Sequence, residues 1–205
     1  MAVPPRHLSS QISPLKFTLA PALVLCCLLT GCLSKEPLQT THRFRPQLTE
    51  ITALESLGTR PLRFDGVRFP VEVGQLLTWR VSPTELVVED YNLWARRPAD
   101  LLEERLRDLL FGVGGFRQIA TVGGPELGVQ LVVFEGDVSG PEALAVVELI
   151  IELEDGNAVH HRTRIRVEEP LKTKDARGLA LAMGDAISSA SERCSSWLRQ
   201  RLGGR

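Results

Sequence analysis

Two neighbouring segments, residues 143–154 and 158–167, place apolar side chains at nearly every second position. This period predicts two long β-strands, each with one buried face and one face in solvent. The solvent-facing positions are mainly glutamates in the first strand and arginine or histidine in the second. The pair therefore constrains the fold more than any other stretch, because a sheet with one apolar face needs a second layer to cover it.

The parity of these two strands restricts how they pair. Facing side chains share one side of the sheet only if the connection contains an odd number of residues, and a three-residue loop at 155–157 meets this condition. That loop places Glu148 opposite Arg164 and Glu152 opposite His160, which pairs opposite charges across the hairpin.

Two segments with helical periodicity supply the covering layer. The patterns predict helices from about Ala99 to Phe111 and from about Asp175 to Leu202, each with one apolar stripe. Asp100, with Glu103 three residues later, has the spacing of a capping box for the first helix. Gly203 is a natural stop for the second. The apolar stripes consist of Leu102, Leu106, Leu109 and Leu110 in the first helix, and Leu179, Met183, Ile187, Ala190, Cys194, Trp197 and Leu202 in the second.

Shorter patterns complete the predicted sheet. The turn Ser82-Pro83-Thr84 joins strands at 75–81 and 85–89 into a hairpin, and further strands are predicted at 62–69 and 129–135. Residues 129–135 are apolar on both faces, as in a central strand, and a short edge strand is predicted around 42–45. The predicted fold class is α/β: a two-layer sandwich of a mixed, mostly antiparallel sheet with two helices packed on one face.

The N-terminal run from Phe17 to Thr30 is apolar and follows a segment whose full charges are Arg6 and Lys16. It is too short to cross a hydrocarbon layer about 30 Å thick, which needs roughly 20 helical residues. A basic leader, an apolar core and small residues are typical of a secretory signal peptide, here residues 1–31. The stretch Leu29-Thr-Gly-Cys32 resembles the lipobox of bacterial lipoproteins, in which the cysteine becomes an acylated N-terminus. An ordinary signal peptide that happens to end at a cysteine is the alternative.

Cleavage before Cys32 changes the composition of the working chain. Of the 205 residues 174 remain, with 22 Lys and Arg against 25 Asp and Glu, a formal charge of −3. This balance lacks the basic footprint of a nucleic-acid-binding protein. We expect an acylated N-terminus and tether at 32–59 and one domain at 60–205, since this length suits a single core. Only Cys194 is left as a free thiol, and its place in a helical pattern indicates a buried apolar residue rather than a nucleophile.

Few residues suggest catalysis or metal binding. The glycines at 112–115 follow a helix, whereas a phosphate-binding loop follows a strand and opens a helix. His160 and His161 are adjacent on a strand and point to opposite faces, which is poor geometry for holding one metal. No Gly-x-Ser-x-Gly sequence is present. We expect no enzymatic activity, no cofactor and no metal, although an unrecognised hydrolase stays open.

Two sets of side chains suggest binding. The arginines at 162, 164 and 166 suit lipid phosphates or an acidic partner, or they form a solvated face neutralised by glutamates of the neighbouring strand. Trp79 and Trp94 are either interface anchors or ordinary core residues.

A family resemblance covers roughly residues 60–202. The stretch 75–86 with Arg80, then Tyr91-Asn-Leu-Trp94-Ala and Pro98 before a leucine-rich helix, resembles the ABC-type transport auxiliary lipoprotein family, the PqiC-type proteins. The order and spacing of these residues carry the resemblance, and the lipobox agrees with it. The chain departs from the family pattern near Phe44 and after Pro70, where the usual aromatic-rich segments are absent.

The resemblance implies a role rather than a reaction. It implies a non-catalytic lipoprotein that docks a periplasm-spanning partner with MCE (mammalian cell entry) domains and works with inner-membrane transport proteins, with lipid as cargo. Leu33, in place of an aspartate after the acylated cysteine, implies the periplasmic face of an outer membrane, where acyl chains such as palmitate hold the protein. Arg80, Tyr91 and Trp94 are the implied partner-binding residues, and a homo-oligomeric ring is compatible. A lipoprotein assembly factor or chaperone for an outer-membrane complex is the alternative.

Overall fold

A computed structural model of the protein describes residues 39–51, 60–69, 74–113, 115–120, 124–154 and 160–203. The predicted signal peptide, Cys32 and the predicted loop at 155–157 lie outside these residues. The chain from Thr40 onward forms one compact unit.

The described residues form eight strands and two α-helices. In chain order these are β1 (His42–Phe44), β2 (Arg60–Arg68), β3 (Leu76–Ser82), β4 (Glu85–Trp94), α1 (Pro98–Arg107), β5 (Phe116–Gln118), β6 (Glu126–Asp137), β7 (Leu144–Glu154), β8 (His160–Pro170) and α2 (Ala176–Gly203). α1 continues into a π-helical turn, Asp108–Gly112, which extends the first helical region to Gly112.

The sheet is organised around β6, which confirms the prediction of a central strand there. One edge of β6 pairs with the antiparallel β7, and β8 pairs with the outer side of β7. Two strands share the other edge of β6. β2 pairs in parallel with residues near the start of β6, and β3 pairs in parallel with Gly136 and Asp137 near the end of β6. β5 adjoins β2, while β4 and then β1 lie beyond β3. The sheet is therefore mixed, and its longest ladders are antiparallel.

The α/β prediction is confirmed, and a single core joins both helices to the sheet. On β7 the residues at 145, 147, 149, 151 and 153 have no exposed surface, as the period of two requires for the helix-covered face. Leu102 and Leu106 of α1 and Leu179 and Met183 of α2 belong to the same cluster of buried apolar residues. The apolar stripes of α1 and α2 and the covered face of β7 thus form the hydrophobic core that the sequence pattern predicts.

The predicted register of the β7–β8 hairpin is wrong by two residues. Glu148 pairs with Arg166 instead of Arg164, and Glu152 pairs with Arg162 instead of His160. The ladder ends at Glu154 and His160, so five residues separate the strands where the prediction has three. Five and three are both odd, so every side chain keeps its predicted face although its partner changes.

The two helices start differently, and the predicted capping box in α1 is absent. Arg97 precedes α1 without a side-chain cap, and Pro98 occupies the first turn, where its missing N–H costs nothing. Asp100 accepts two hydrogen bonds from Arg97, at 3.0 and 2.9 Å. At α2, by contrast, the Asp175 carboxylate accepts the Gly178 N–H at 2.6 Å. That bond lowers the pKa of Asp175 and caps the helix.

Residues 42–49 belong structurally to the domain, although the sequence places them in the tether. β1 pairs in parallel with the end of β4, which confirms the predicted edge strand. The Thr49 N–H donates to the Ser188 hydroxyl of α2 at 3.2 Å. At Gly184 the backbone of Gln47 lies so close that a Cβ would overlap its carbonyl oxygen. The strand β4 is also longer than predicted, since it continues from Glu89 to Trp94.

Arg105 of α1 is a buried cation without a hydrogen-bond partner for two of its nitrogens. The residue is 4% exposed, and its Nε and Nη2 find no acceptor among the described residues. Desolvation lowers the pKa of Arg105, although the negative charges of Glu192 and Asp108 act to raise it. A buried polar group without partners costs free energy that an apolar side chain of similar length avoids.

We therefore expect Arg105→Met to raise the free energy of unfolding by about 1–3 kcal/mol, measured by urea denaturation. Arg107→Met is the matched control on the same helix. Arg107 bonds to Glu103 at 2.9 Å and lies 5.2 Å from the centre of the Phe64 ring, so its loss should destabilise the fold. A larger loss at Arg105 than at Arg107 would show that the guanidinium of Arg105 stabilises the core.

Candidate docking surface

Arg80 of β3 is held by a buried carboxylate of the neighbouring strand. Its Nε donates to Glu135 at 2.5 Å and its Nη2 to the second carboxylate oxygen at 3.2 Å. The hydrogen bonds that Arg80 donates to Glu135 raise the pKa of Arg80, and the Glu135 side chain is 7% exposed. The fork-to-carboxylate pair fixes β3 to β6 where these strands share only two residue pairs. The guanidinium is thus engaged within the domain.

Trp79 and Trp94 are both buried, although their sequence contexts differ. Trp94 is 1% exposed and meets Phe134 edge-on, with ring centroids 5.2 Å apart. Trp79 is 8% exposed, donates its indole N–H to Glu89 and covers Gly136, where a Cβ would overlap its ring. Both rings therefore pack as core residues and support the base of the β3–β4 hairpin. A partner has no access to the Trp94 side chain.

Tyr91, the third residue implied by the resemblance, lies in an exposed apolar patch on β3 and β4. We call this set the hairpin patch; its members are Val81, Leu86, Val87, Val88 and Tyr91, with exposures of 37, 48, 43, 44 and 45%. The only other large apolar side chain that the described residues leave exposed is Leu181 of α2. The sequence signal for the patch is the loss of alternation at Leu86-Val87-Val88, which the strand prediction for 85–89 passed over.

The arginines of β8 form ion pairs with glutamates across the hairpin. Glu148, which is buried, lies 2.8 Å from Arg164 and 3.1 Å from Arg166. Arg162 lies 3.6 Å from Glu152. These contacts match the interpretation of a neutralised sheet face, because each arginine already has a carboxylate neighbour. A ligand phosphate would have to compete with those carboxylates.

Cys194 is fully buried in the core under α2. Burial raises the pKa of the Cys194 thiol to about 12, from an ordinary value near 9. The thiolate is the reactive form of cysteine, so this side chain is inert at neutral pH. The interpretation of Cys194 as an apolar core residue is confirmed by its burial.

This shift predicts a pH dependence of stability. Above pH 9 the unfolded chain loses the Cys194 proton while the folded chain keeps it until about pH 12. Stability therefore falls as pH rises, by up to about 1.4 kcal/mol per pH unit from this group. We expect the difference in free energy of unfolding between wild type and Cys194→Ala to shrink by about 2 kcal/mol between pH 8 and 10.5 in urea denaturation. A difference that stays constant over this range would contradict the shift.

One open groove lies between residues 47–49 and the start of α2. Its volume is about 260 Å³, and its polar lining includes Lys172 and Asp185 but no histidine or cysteine. Among the described residues no group of three or more His, Cys, Asp or Glu side chains is placed to hold a metal ion. The described helices include none that is both long and apolar enough to cross a membrane.

The family model for the ABC-type transport auxiliary lipoprotein component matches residues 73–194. The chain belongs to this family. It is thus a lipoprotein that serves as an auxiliary component of ABC-type transport. The match begins just before β3 and ends within α2, so it includes the β3–β4 hairpin, both buried glutamates and most of the helical layer.

Two solved structures show the same fold. Protein XCC0632 from Xanthomonas campestris, of family DUF330, is 19% identical with a TM-score of 0.65, covering 77% of this chain and 94% of that one. An uncharacterized protein is 15% identical with a TM-score of 0.62, covering 78% and 99%. A minor lipoprotein from Acinetobacter baumannii is 11% identical with a TM-score of 0.44, covering 70% and 94%. No curated protein matches the chain.

Proposed function

We propose that this lipoprotein is the outer-membrane component of an intermembrane lipid transport system. Acyl chains on Cys32 hold it at the periplasmic face, and the hairpin patch docks a periplasm-spanning protein with MCE domains. Family membership supports the transport role. The observation that carries the docking role is the concentration of exposed apolar side chains on β3 and β4. A concentration of exposed apolar side chains, as opposed to single scattered ones, is typical of protein or membrane interaction sites.

The proposed mechanism is positional and involves no reaction step. The core is closed by two helices, and the one thiol in the described residues is buried and inert. The hairpin that carries the patch is fixed at its base by Trp94 and by the Arg80–Glu135 pair. A rigid platform lowers the entropy lost on binding, so a partner can dock on it without ordering it first. Several copies arranged around one partner are compatible with this role.

The test is affinity purification of the tagged lipoprotein from its natural host in mild detergent. We expect mass spectrometry to identify an MCE-domain protein together with inner-membrane transport proteins. Recovery of neither, with the lipid anchor intact, would contradict the proposal. An untagged strain processed in parallel controls for proteins that bind the resin.

A deletion strain distinguishes the proposal from an assembly role. Loss of lipid transfer between the membranes, with normal amounts of outer-membrane proteins, is the expected result. A fall in the amounts of outer-membrane proteins with lipid transfer unaffected would instead identify an assembly factor or chaperone.

A further inference from the structure

The hairpin patch is exposed on both faces of strand β4. Leu86, Val87 and Val88 are consecutive, and successive side chains of a strand point to opposite faces. Their exposures of 48, 43 and 44% show that both faces of this segment are partly open to solvent. A partner that lies along the strand can therefore contact apolar side chains on both sides of it.

The outer edge of the same segment also lacks a neighbouring strand. β4 pairs with β3 on its inner side, while β1 covers its outer side only at Asn92–Trp94. Within the described residues, nothing pairs with the outer edge from Glu85 to Tyr91. The ladder with β3 is regular from Leu86 to Val88 and shifts register before Leu93, so the template for another strand, with N–H and C=O pointing away from β3, is centred on residues 86–88.

The outer strand β8 carries several charged residues, and one of its backbone carbonyls is engaged by α2. Arg193 of α2 reaches the backbone of β8 and donates from Nη1 to the Arg166 carbonyl at 3.2 Å. A charged side chain on an edge strand is a usual device against unwanted pairing. Charged residues recur along β8, whereas the outer segment of β4 carries the apolar run Leu86-Val87-Val88.

We propose that the outer edge of β4, from Glu85 to Tyr91, binds an extended segment of a partner protein that alternates branched aliphatic residues with lysine or arginine. The backbone edge provides hydrogen bonds and the hairpin patch provides apolar contacts on both faces. Glu85 and Asp90 form no ion pair with any described residue, so they are available to cations of the added strand. This inference rests on the proposed docking function and specifies the kind of segment that docks.

Charge argues against a second copy of the same edge. In a two-fold antiparallel pairing centred on Val88, Leu86 would lie opposite Asp90 and Val87 opposite Glu89. Such a ladder brings together the three acidic residues of each strand without a basic residue. In this register each acidic side chain faces an apolar or aromatic one, so no ion pair forms and the negative charges accumulate, whereas a basic partner strand neutralises them.

The experiment uses the full lipoprotein in detergent and a fluorescent peptide of alternating lysine and valine, seven residues long. One control peptide carries glutamate in place of lysine, and a second is N-methylated at every internal residue, which removes its backbone donors. Fluorescence anisotropy measures binding, and hydrogen exchange locates it. We expect protection of the amides of residues 86–90, with at least tenfold weaker binding of both control peptides.

Variants of the protein test the same edge by changing the protein instead of the peptide. Val88→Lys should weaken binding of the basic peptide at least tenfold, and Leu181→Lys, the same change at a similarly exposed residue of α2, should leave it unchanged. Val88→Thr keeps the β-branched shape and should weaken binding severalfold, so the test survives if Val88→Lys does not fold. Circular dichroism checks the fold of each variant.

Four outcomes would overturn the inference. These are equal binding of either control peptide, protection confined to other strands, protection of residues 86–90 that rises with protein concentration alone, and the same protection by phosphatidylcholine vesicles alone. The third would assign the edge to a second copy and the fourth to a bilayer. The peptide test needs no transport partner, so peptide binding without recovery of an MCE-domain protein would refute only the proposed function.

Discussion

Replacing Arg80 by alanine is expected to lower the free energy of unfolding by about 3 kcal/mol. The Glu135 carboxylate is 7% exposed and receives two hydrogen bonds from this one guanidinium. Its removal leaves a buried charge without its partner, which is the costly way to break an ion pair. Urea denaturation followed by circular dichroism measures the loss.

A control and a double variant separate the pair from other effects. Arg97 forms an equally bidentate pair with Asp100, but on the surface, so Arg97→Ala should cause little change. Arg80→Met combined with Glu135→Leu should recover most of the stability, because two apolar side chains replace both charges at once. If affinity purification with this double variant still recovers the proposed partner, Arg80 contributes to docking by fixing β3 to β6 and not by contacting the partner. Equal losses at Arg80 and Arg97 would contradict the buried-pair explanation.

Replacing Cys32 by serine is expected to move the protein from the membrane fraction to the soluble fraction or to leave it unprocessed. We propose that Cys32 carries the acyl chains, and each buried methylene contributes about 0.8 kcal/mol to membrane binding. More than one chain is needed for stable anchoring, and serine accepts none through a thioether. Fractionation of the envelope with intact-mass measurement gives the result.

Cys194→Ala is the control for this experiment, because that thiol is buried and has no route to acylation. It should remain in the membrane fraction with the same N-terminal modification as wild type. An unmodified N-terminus in the wild-type protein, or a Cys32→Ser variant that still sediments with membranes, would contradict acylation at this position.

The register of β7 and β8 shows where inference from sequence stops. Parity and charge restrict the pairing to odd connections with glutamates facing arginines, and several registers satisfy both conditions. Glu148 fits Arg164 or Arg166 as its direct neighbour, and in the structure it contacts both, with Arg166 opposite. A shift of two residues leaves every face unchanged, so the periodicity of the sequence contains no information that separates the two registers.

The proposed docking residues were predictable only in part. The family pattern indicates Arg80, Tyr91 and Trp94 by position, but their side chains face an ion pair, solvent and the core respectively. Burial depends on which elements lie above and beside a strand, and a local pattern does not report that. The run Leu86-Val87-Val88 resembles an ordinary buried strand until the structure shows that its side chains stay exposed on both faces.

The sequence by itself determines which face of each of these strands and helices is buried. Periods of two and of three to four decide which side chains of β7, β8, α1 and α2 turn inward, and the lipobox predicts where the mature chain begins. Only the tertiary structure decides which strands and side chains lie next to one another. β6 shares one edge between β2 and β3, Arg80 meets Glu135 across 55 residues of chain, and the outer edge of β4 stays open. The reason is physical: side-chain direction follows from local backbone geometry, whereas pairing reflects competition among distant segments for the same edges.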